Sequence, residues 1–209
     1  MRIYTKAGDD GSTGLFLGSR VSKADVLLDA CGDLDEAVSA LGLARALCGP
    51  GLGHEPGHEP GHGGESGSAP RDGLAGPAEL AEIVLGLQKD LFVVAADLAT
   101  NPAHRDRLKP GISCVTPQMV AALEALVDDL VARRPLRPVF VVPGANALSA
   151  ALDHGRTVVR RAERHVVAAG GAGHDVSPLV LEYVNRASDL VFVLARHAAG
   201  EVDEPPSHD

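Results

Sequence analysis

The chain has 209 residues, of which 45% are apolar, and this is enough to bury the core of one domain. Aromatic residues make up only 3% and Trp is absent, which favours close-packed helices over an all-β fold. The net charge of −9 argues against nucleic acid as a partner.

Cysteine usage and the first residues indicate the compartment. Cys31, Cys48 and Cys114 are an odd number of widely spaced cysteines without a CxxC pair, so reduced thiols are predicted. The first residues carry no apolar signal-peptide core, and no run of 18 apolar residues occurs in the chain. We therefore expect a cytoplasmic protein that does not span a membrane.

The first informative stretch is a polar loop at residues 5–14, TKAGDDGSTG. Its glycines disfavour a helix or a central strand. Its backbone amides and hydroxyl groups can hold phosphate oxygens, and Lys6 adds a positive charge, although the GxxxxGK[ST] order of a P-loop is absent. The alternative is a mobile N-terminal arm, and the loop taken alone favours this alternative.

A first helix is predicted over residues 23–48, where apolar residues recur at helical spacing. Gly32 and Gly42 interrupt this pattern and are expected to mark close approach of neighbouring helices. Asp35 lies at the boundary between the apolar and polar faces, where a carboxylate usually has a cationic partner. The expected partner is an arginine near position 156, in the same subunit or in another one.

Residues 49–76 differ sharply from the rest of the chain, because they are rich in Gly, Pro and His. A near-perfect tetrapeptide repeat spaces His54, His58 and His62 equally. The repeat indicates either a loose divalent-metal site or a flexible connection between two helices. The flexible connection is favoured because Gly and Pro preclude a preorganised set of ligands. We interpret the segment as an insert within a single domain over residues 1–200.

Four further helices are predicted after the insert. Apolar periodicity and boundary residues place them at about residues 77–100, 116–134, 145–169 and 176–197. Residues 138–144 form a short extended apolar segment between prolines, and residues 201–209 are predicted to be a disordered tail. The predicted fold class is therefore all-α, a five-helix bundle with an N-terminal loop.

The fourth helix carries four arginines and one glutamate within residues 156–164. On an ideal helix Arg156, Arg160, Glu163 and Arg164 share one face, whereas Arg161 points away from it. Such a group of guanidinium ions needs a carboxylate partner or a polyphosphate, so a salt-bridged surface helix and an anion site are equal alternatives. A di-metal carboxylate bundle would need Glu-x-x-His pairs, which the sequence lacks, and no local pattern supports Ser-His-Asp or Cys-His catalysis.

Five motifs occur along the chain in a definite order. They are residues 5–11 (TKAGDDG), 35–36 (DE), 140–144 (FVVPG), 156–164 (RTVVRRAER) and 185–189 (NRASD). Together they resemble the motifs of PduO-type ATP:cob(I)alamin adenosyltransferases, over nearly the whole chain except the insert and the tail. Two positions depart from the family pattern. The usual Leu-Pro-Gly-Gly reads Val142-Pro143-Gly144-Ala145 here, and the usual Leu-His reads Asp153-His154.

The resemblance implies a homotrimer with its active sites between subunits. The reaction would move the 5′-deoxyadenosyl group of ATP to the cobalt of reduced cob(I)alamin, giving adenosylcobalamin and triphosphate. Mg²⁺ would accompany ATP with Glu163 as its contact, and an adenosylcobalamin-dependent mutase or a corrinoid reductase would be a further partner. Two alternatives stay open. One is a non-catalytic trimer that binds nucleotide or corrinoid and delivers or regulates cofactor, and the other is an ATP hydrolase or kinase.

The resemblance also implies the site residues. Phe140 would occupy the lower face of the corrin and displace the axial base of cobalt, and Arg156 would pair with Asp35 across the subunit interface. Without the resemblance, a core position would be the preferred interpretation of Phe140. The implied ATP-binding residues, from the loop of one chain and the helices of its neighbour, are Thr5, Lys6, Ala7, Gly8, Thr13, Lys23, Arg160, Arg161, Ala162, Glu163, Arg164 and Asn185.

Overall fold

The computed structural model describes residues 4–49, 73–200 and 204–208. Within these residues the chain forms five α-helices, and the helical segments are α1 Val26–Ala46, α2 Pro77–Leu98, α3 Pro117–Arg133, α4 Ala147–Gly171 and α5 Pro178–Ala199. Each boundary lies within a few residues of its predicted position. The all-α, five-helix prediction is therefore confirmed.

Local sequence signals determine where the helices that carry the site begin. At α3, the side chain of Thr116 accepts a hydrogen bond from the N–H of Met119 at 3.3 Å, and Pro117 occupies the first turn. At α4, Asn146 and Ser149 form a reciprocal capping box. This box starts the arginine-bearing helix two residues later than the sequence analysis placed it.

α4, which carries the arginine cluster, packs along both α1 and α5. The two helices α1 and α4 approach closely at Gly155, where an added Cβ atom would lie 3.1 Å from Cδ2 of Leu41. Gly42 also marks a close approach, since its added Cβ would lie 3.1 Å from Nε2 of Gln88 on α2. The same expectation is wrong for Gly32, whose added Cβ would meet nothing within 4 Å.

A short hairpin and a 3-10 helix were not predicted from the sequence. Strand β1, Ser12–Gly14, pairs antiparallel with strand β2, Arg20–Ser22, and the 3-10 helix is Pro102–Arg107. The N–H of Phe16 donates to the carbonyl oxygen of Ala99 at 2.9 Å and attaches the hairpin to the end of α2. The last three residues of the polar N-terminal loop, 12–14, thus form a strand of a folded hairpin.

The end of the predicted insert and part of the predicted tail are more ordered than the sequence analysis indicated. Ala75, at the end of the predicted insert, is buried, and its N–H donates to Nδ1 of His197 at 3.0 Å. The predicted disorder of the tail is wrong for residues 204–208, because Glu204 is buried at 4% exposure and its carboxylate meets an arginine. The histidines of the insert lie outside the described residues, namely His54, His58 and His62.

Two further properties of the described residues concern membrane spans and thiols. None of those helices is long and apolar enough to cross a membrane. Cys31, Cys48 and Cys114 are free thiols. Burial raises the pKa of the Cys31 thiol to about 11, so this thiol stays protonated at neutral pH.

Candidate active site

Four of the expected ATP-binding residues line one cavity between α4 and α5. Arg160, Glu163 and Arg164 reach it from α4 and Asn185 from α5, and its volume is about 370 Å³. Two guanidinium groups face one carboxylate there, so the cavity is electropositive. Such a surface suits a polyphosphate, which arginine binds through paired, permanently charged N–H donors.

The polar groups of this cavity are held by a chain of hydrogen bonds. Nδ2 of Asn185 donates to Oε1 of Glu163 at 2.9 Å, and Nη1 of Arg186 donates to Oδ1 of Asn185 at 2.7 Å. Nε of Arg186 donates in turn to Oε1 of Glu124 on α3 at 2.9 Å, and this hydrogen bond raises the pKa of the guanidinium. Because Arg186 holds the amide oxygen, the amide nitrogen must face Glu163. The sequence analysis missed Arg186 and Glu124, although Arg186 belongs to the NRASD motif.

Glu163 meets the requirement for a contact to Mg²⁺ bound with a polyphosphate. Its Oε1 accepts from Asn185, whereas no hydrogen bond to its Oε2 occurs within the described part of the chain. Mg²⁺ is usually bound by one or two carboxylates together with phosphates and water, so one available carboxylate oxygen is sufficient. The described residues contain no group of three or more His, Cys, Asp or Glu side chains that would hold a metal by themselves.

An apolar cavity of about 410 Å³ lies one helical turn away, between α3, α4, α5 and the segment that carries Phe140. Arg156 lines it from α4, and Ser188, Asp189 and Phe192 line it from α5. The guanidinium of Arg156 lies over the ring of Phe192, 5.6 Å from its centroid. Phe140 also lines this cavity and is 87% exposed, so it is not a core residue. An exposed phenyl ring beside a large apolar cavity is placed to pack against a flat ligand.

Arg161 and Ala162 lie away from both cavities. Arg161 donates through Nε to Oδ1 of Asp33 at 3.0 Å and through Nη2 to Glu36, and these carboxylates raise the pKa of its guanidinium. Ala162 is fully buried in the core. The structure therefore does not support the implied contacts of these two side chains with ATP, because α1 binds one of them and the other has no exposed surface.

The N-terminal loop is exposed and contributes no residue to either cavity of its own chain. Nζ of Lys23 donates to the carbonyl oxygen of Gly8 at 2.7 Å, so the lysine folds the loop back on itself. Lys6 adopts a φ of 63°, a left-handed conformation that a non-glycine residue rarely adopts. The expected nucleotide-binding residues on this loop are all exposed or partly exposed, and they are Thr5, Lys6, Ala7, Gly8, Thr13 and Lys23.

Asp35 and Arg156 do not pair within one chain. Asp35 is exposed on α1, and its carboxylate has no ion-pair partner among the residues described. Nε of Arg156 is buried and has no hydrogen-bond acceptor in the same ranges. The exposed carboxylate of Asp35 and the partly exposed side chain of Arg156 are therefore both accessible to a second chain. The pairing between subunits that the resemblance implies stays a prediction.

Comparison with known proteins identifies the family. The family model for cobalamin adenosyltransferases matches residues 3–198 of the chain. The chain belongs to the cobalamin adenosyltransferase family. A corrinoid adenosyltransferase from Mycobacterium tuberculosis is 39% identical over 207 residues, which cover 97% of this chain and 91% of that relative. A corrinoid adenosyltransferase from Bacillus subtilis is 33% identical over 196 residues, covering 94% of this chain and 86% of the relative.

Solved structures of cobalamin adenosyltransferases share the fold. A variant of the PduO-type ATP:corrinoid adenosyltransferase from Lactobacillus reuteri, complexed with cobalamin and ATP, matches with a TM-score of 0.77 and 27% identity over 100% of each chain. Another variant from the same organism, complexed with ATP, matches with a TM-score of 0.72 and 29% identity, covering 95% of this chain and 94% of that one. The family expected from the five motifs is therefore confirmed.

Proposed function

We propose that this adenosyltransferase transfers the 5′-deoxyadenosyl group of ATP to the cobalt of a reduced, cobalt(I) corrinoid and releases triphosphate. The observation that carries the proposal is the placement of an electropositive cavity and an apolar cavity one turn apart along α4 and α5. The first cavity suits the triphosphate and the second suits the corrin ring, so the 5′ carbon of ATP would lie between them. The names of the related corrinoid adenosyltransferases support the same reaction.

The nucleophile in this reaction belongs to the substrate. The electron pair of cobalt(I) forms the bond to the 5′ carbon, and the bond from this carbon to oxygen breaks with its electrons leaving on triphosphate. The protein therefore has no need of a nucleophilic side chain. Arg160 and Arg164 would stabilise the negative charge that grows on triphosphate, and Glu163 would hold the Mg²⁺ that accompanies ATP. Bound Mg²⁺ supplies further charge neutralisation.

Phe140 forms the corrin side of the proposed site. Its exposed ring would lie against the lower face of the corrin, where it would displace the axial base and leave cobalt four-coordinate. Axial ligands set the reduction potential of such metals, so removing the base would make reduction to cobalt(I) easier. Arg156 would shape the same cavity from α4 through its contact with Phe192.

The proposed assembly is a homotrimer with its sites between subunits. The N-terminal loop lines neither cavity of its own chain, so the loop of one subunit would close over ATP bound against α4 of the next. Arg156, whose side chain is partly exposed, would pair with Asp35 of the partner subunit. A corrinoid reductase would supply cobalt(I), and an adenosylcobalamin-dependent mutase would receive the product.

The test measures adenosylcobalamin and triphosphate formed from ATP, Mg²⁺ and chemically reduced cobalamin. Arg160→Ala is expected to lower kcat by about 100-fold or more, because it removes a charge-stabilising donor. The matched control is Arg161→Ala, one residue along the helix, which we expect to lower stability while keeping kcat within about threefold, since its side chain binds α1.

Three results would contradict the proposal. Release of phosphate or diphosphate in place of triphosphate would indicate a hydrolase or kinase. Binding of both ligands without turnover would indicate a carrier. Equal losses of kcat in the two arginine variants would show that the α4–α5 cavity does not hold the triphosphate.

A further inference from the structure

The described C-terminal residues lie along the segment that carries Phe140. Val141 pairs antiparallel with Pro206. The N–H of Val142 donates to the carbonyl oxygen of Pro205 at 2.8 Å, and the N–H of Ser207 donates to that of Phe140 at 2.8 Å. Within the described part of the chain, residues 139–145 make no other main-chain hydrogen bond to main chain. The conformation of this exposed, proline-flanked segment therefore depends on residues 204–208, which we call the C-terminal strap.

A buried ion pair anchors the strap to the bundle. Oε2 of Glu204 lies 2.6 Å from Nη1 of Arg196 on α5, and both side chains are nearly inaccessible to solvent. Arg196 also bonds to Asp153 on α4, and Nη1 of Arg137 donates to the carbonyl oxygen of Glu204 at 3.0 Å. A carboxylate is seldom buried unless it is paired. The tail is therefore held at a specific site and does not merely rest on the surface.

The anchor is joined to the apolar cavity through one aromatic ring. The guanidinium of Arg196 lies 5.1 Å from the centroid of the Phe192 ring, and Arg156 lies over the same ring. Phe192 and Phe140 both line the apolar cavity. The strap thus contacts the Phe140 segment directly through its main chain and contacts the wall of the cavity indirectly through Arg196.

We infer that the C-terminal strap positions Phe140 for the corrin, with Glu204 as a positioning residue that acts through Arg196. This inference rests on the proposed function, since it concerns the side chain assigned to the lower face of the corrin. The strap holds the carbonyl oxygen of Phe140 and the N–H of Val142, and these two bonds fix the main chain from which the Phe140 ring projects towards the cavity. Without the strap, the segment has too few hydrogen bonds to maintain that position.

A matched pair of variants tests the main-chain contact. Ser207→Pro removes the N–H that donates to Phe140, whereas Ser207→Ala removes only the hydroxyl group and keeps this N–H. In the proline variant we expect kcat to fall about tenfold or more, because small displacements of a positioning group are costly. The four-coordinate fraction of bound cobalt(II) corrinoid, measured by electron paramagnetic resonance with ATP present, should fall in parallel. The Kd of ATP should not change, and the alanine variant should match the unaltered chain in all three measurements.

Hydrogen exchange gives a second measurement that does not depend on activity. The N–H of Val142 donates to Pro205, so it should exchange about tenfold or more faster in a chain that ends at residue 203 than in the full chain. Glu204→Gln keeps the shape of the side chain and removes its charge. We expect the exchange rate of the Val142 N–H in this variant to lie between the rates of the full chain and of the shortened chain. The result is independent of whether the chain binds a corrinoid.

The outcomes separate the strap from the reaction. Equal kcat and equal four-coordinate fractions in Ser207→Pro and Ser207→Ala would overturn the positioning role. The same conclusion would follow if the Val142 N–H exchanged at the same rate in the full chain and in the chain that ends at residue 203. A loss of ATP affinity in proportion to the loss of kcat would show general destabilisation and would also overturn it. If the unaltered chain forms no adenosylated corrinoid, the proposed function itself fails, and this is seen before any variant is compared.

Discussion

Arg186 connects a surface carboxylate on α3 with the polar cavity. It holds Glu124 through Nε and the amide oxygen of Asn185 through Nη1, and Asn185 in turn holds one oxygen of Glu163. The side chain of Arg186 therefore acts on the proposed Mg²⁺ contact through another residue. Its effect on the reaction should appear as a change in Mg²⁺ dependence.

We expect Arg186→Met to raise the Mg²⁺ concentration for half-maximal activity by about tenfold, since lost outer contacts typically cost 10- to 100-fold in metal affinity. The physical reason is that the Asn185 amide can rotate once its oxygen has no donor, and Glu163 is then no longer oriented. The measurement is a Mg²⁺ titration of the transferase rate at saturating corrinoid.

The control for this prediction is another arginine that pairs with a glutamate. Arg133 on α3 donates to both oxygens of Glu79, and it lines neither cavity. Arg133→Met should change thermal stability and leave the Mg²⁺ titration unaltered. If Arg186→Met lowers kcat but leaves the Mg²⁺ concentration for half-maximal activity unchanged, Arg186 does not act on Glu163 through Asn185.

The arginine cluster shows how far single residues can be assigned from sequence. Helical spacing correctly grouped Arg160, Glu163 and Arg164, because α4 is a regular helix and the grouping depends only on its period. The same geometry turned Arg161 away from this face, but it could not reveal the partner of Arg161. Its partners lie on α1, far away in the sequence, and their contact depends on how the two helices pack. The prediction that Arg161 contacts ATP came only from the resemblance to the family.

At the scale of elements, His197 joins three parts of the bundle. Its Nδ1 accepts from the N–H of Ala75, so its Nε2 carries the proton and donates to the carbonyl oxygen of Leu130 on α3, 2.9 Å away. Burial lowers the pKa of His197 below the usual value of 6.5. Protonation of Nδ1 would break the bond to Ala75, so the neutral ring is the form that stabilises the fold.

The pKa shift predicts how stability depends on pH. Because the folded-state pKa lies below 6.5, the unfolded chain binds more protons as the pH falls from 6.5 towards the lower folded value. This contribution to the free energy of unfolding is complete above pH 6.5 and is lost as the pH falls through that window. The hydrogen bond to Leu130 opposes burial by raising the pKa of His197, nearby Arg133 and Arg134 lower this pKa further, and Glu79 raises it.

Urea unfolding of the unaltered chain and of His197→Gln at about pH 7.5 and pH 5 tests this window. Glutamine keeps a donor and an acceptor but does not titrate, so the variant should lose less stability between the two pH values. At the higher pH the variant should be less stable by about 1–3 kcal/mol, since the two buried hydrogen bonds are not fully replaced. Burial raises the pKa of Glu204, but this effect is common to both proteins and cancels in the comparison. Identical pH slopes would contradict the assignment.

The five helices could be predicted because each has apolar residues at helical spacing and a clear start signal, such as Thr116 and Pro117 at α3. The structure of the tail could not be predicted in this way. Residues 204–208 have the composition of a disordered end, and their order comes from the pairing of Glu204 with Arg196, which is a tertiary contact. The exposure of the Phe140 side chain could not be predicted from the sequence pattern either, because a single phenylalanine in an apolar run is typical of a core residue.

At the scale of the whole molecule, the two halves of the proposed nucleotide site lie on separate surfaces of one chain. The loop with Lys6 contributes nothing to the cavity that contains Arg160. Asp35 and Arg156 likewise have no ion-pair partner among the residues described. All three observations are explained together if each site takes its loop from one subunit and its helices from the next.

This arrangement predicts recovery of activity when two inactive variants are combined. Lys6→Ala damages the loop half and Arg160→Ala damages the helix half, so each variant alone should be nearly inactive. In an equal mixture of co-expressed chains, about one quarter of the sites would receive an intact loop from one variant and an intact helix from the other, because each half is drawn at random. The rate of adenosylcobalamin formation should therefore reach about one quarter of that of the unaltered protein. A chain that carries both substitutions is the control and should restore nothing when it is co-expressed with either single variant. Recovery close to zero in the mixed sample, with trimers present by light scattering, would place both halves of the site in one chain and contradict the shared site.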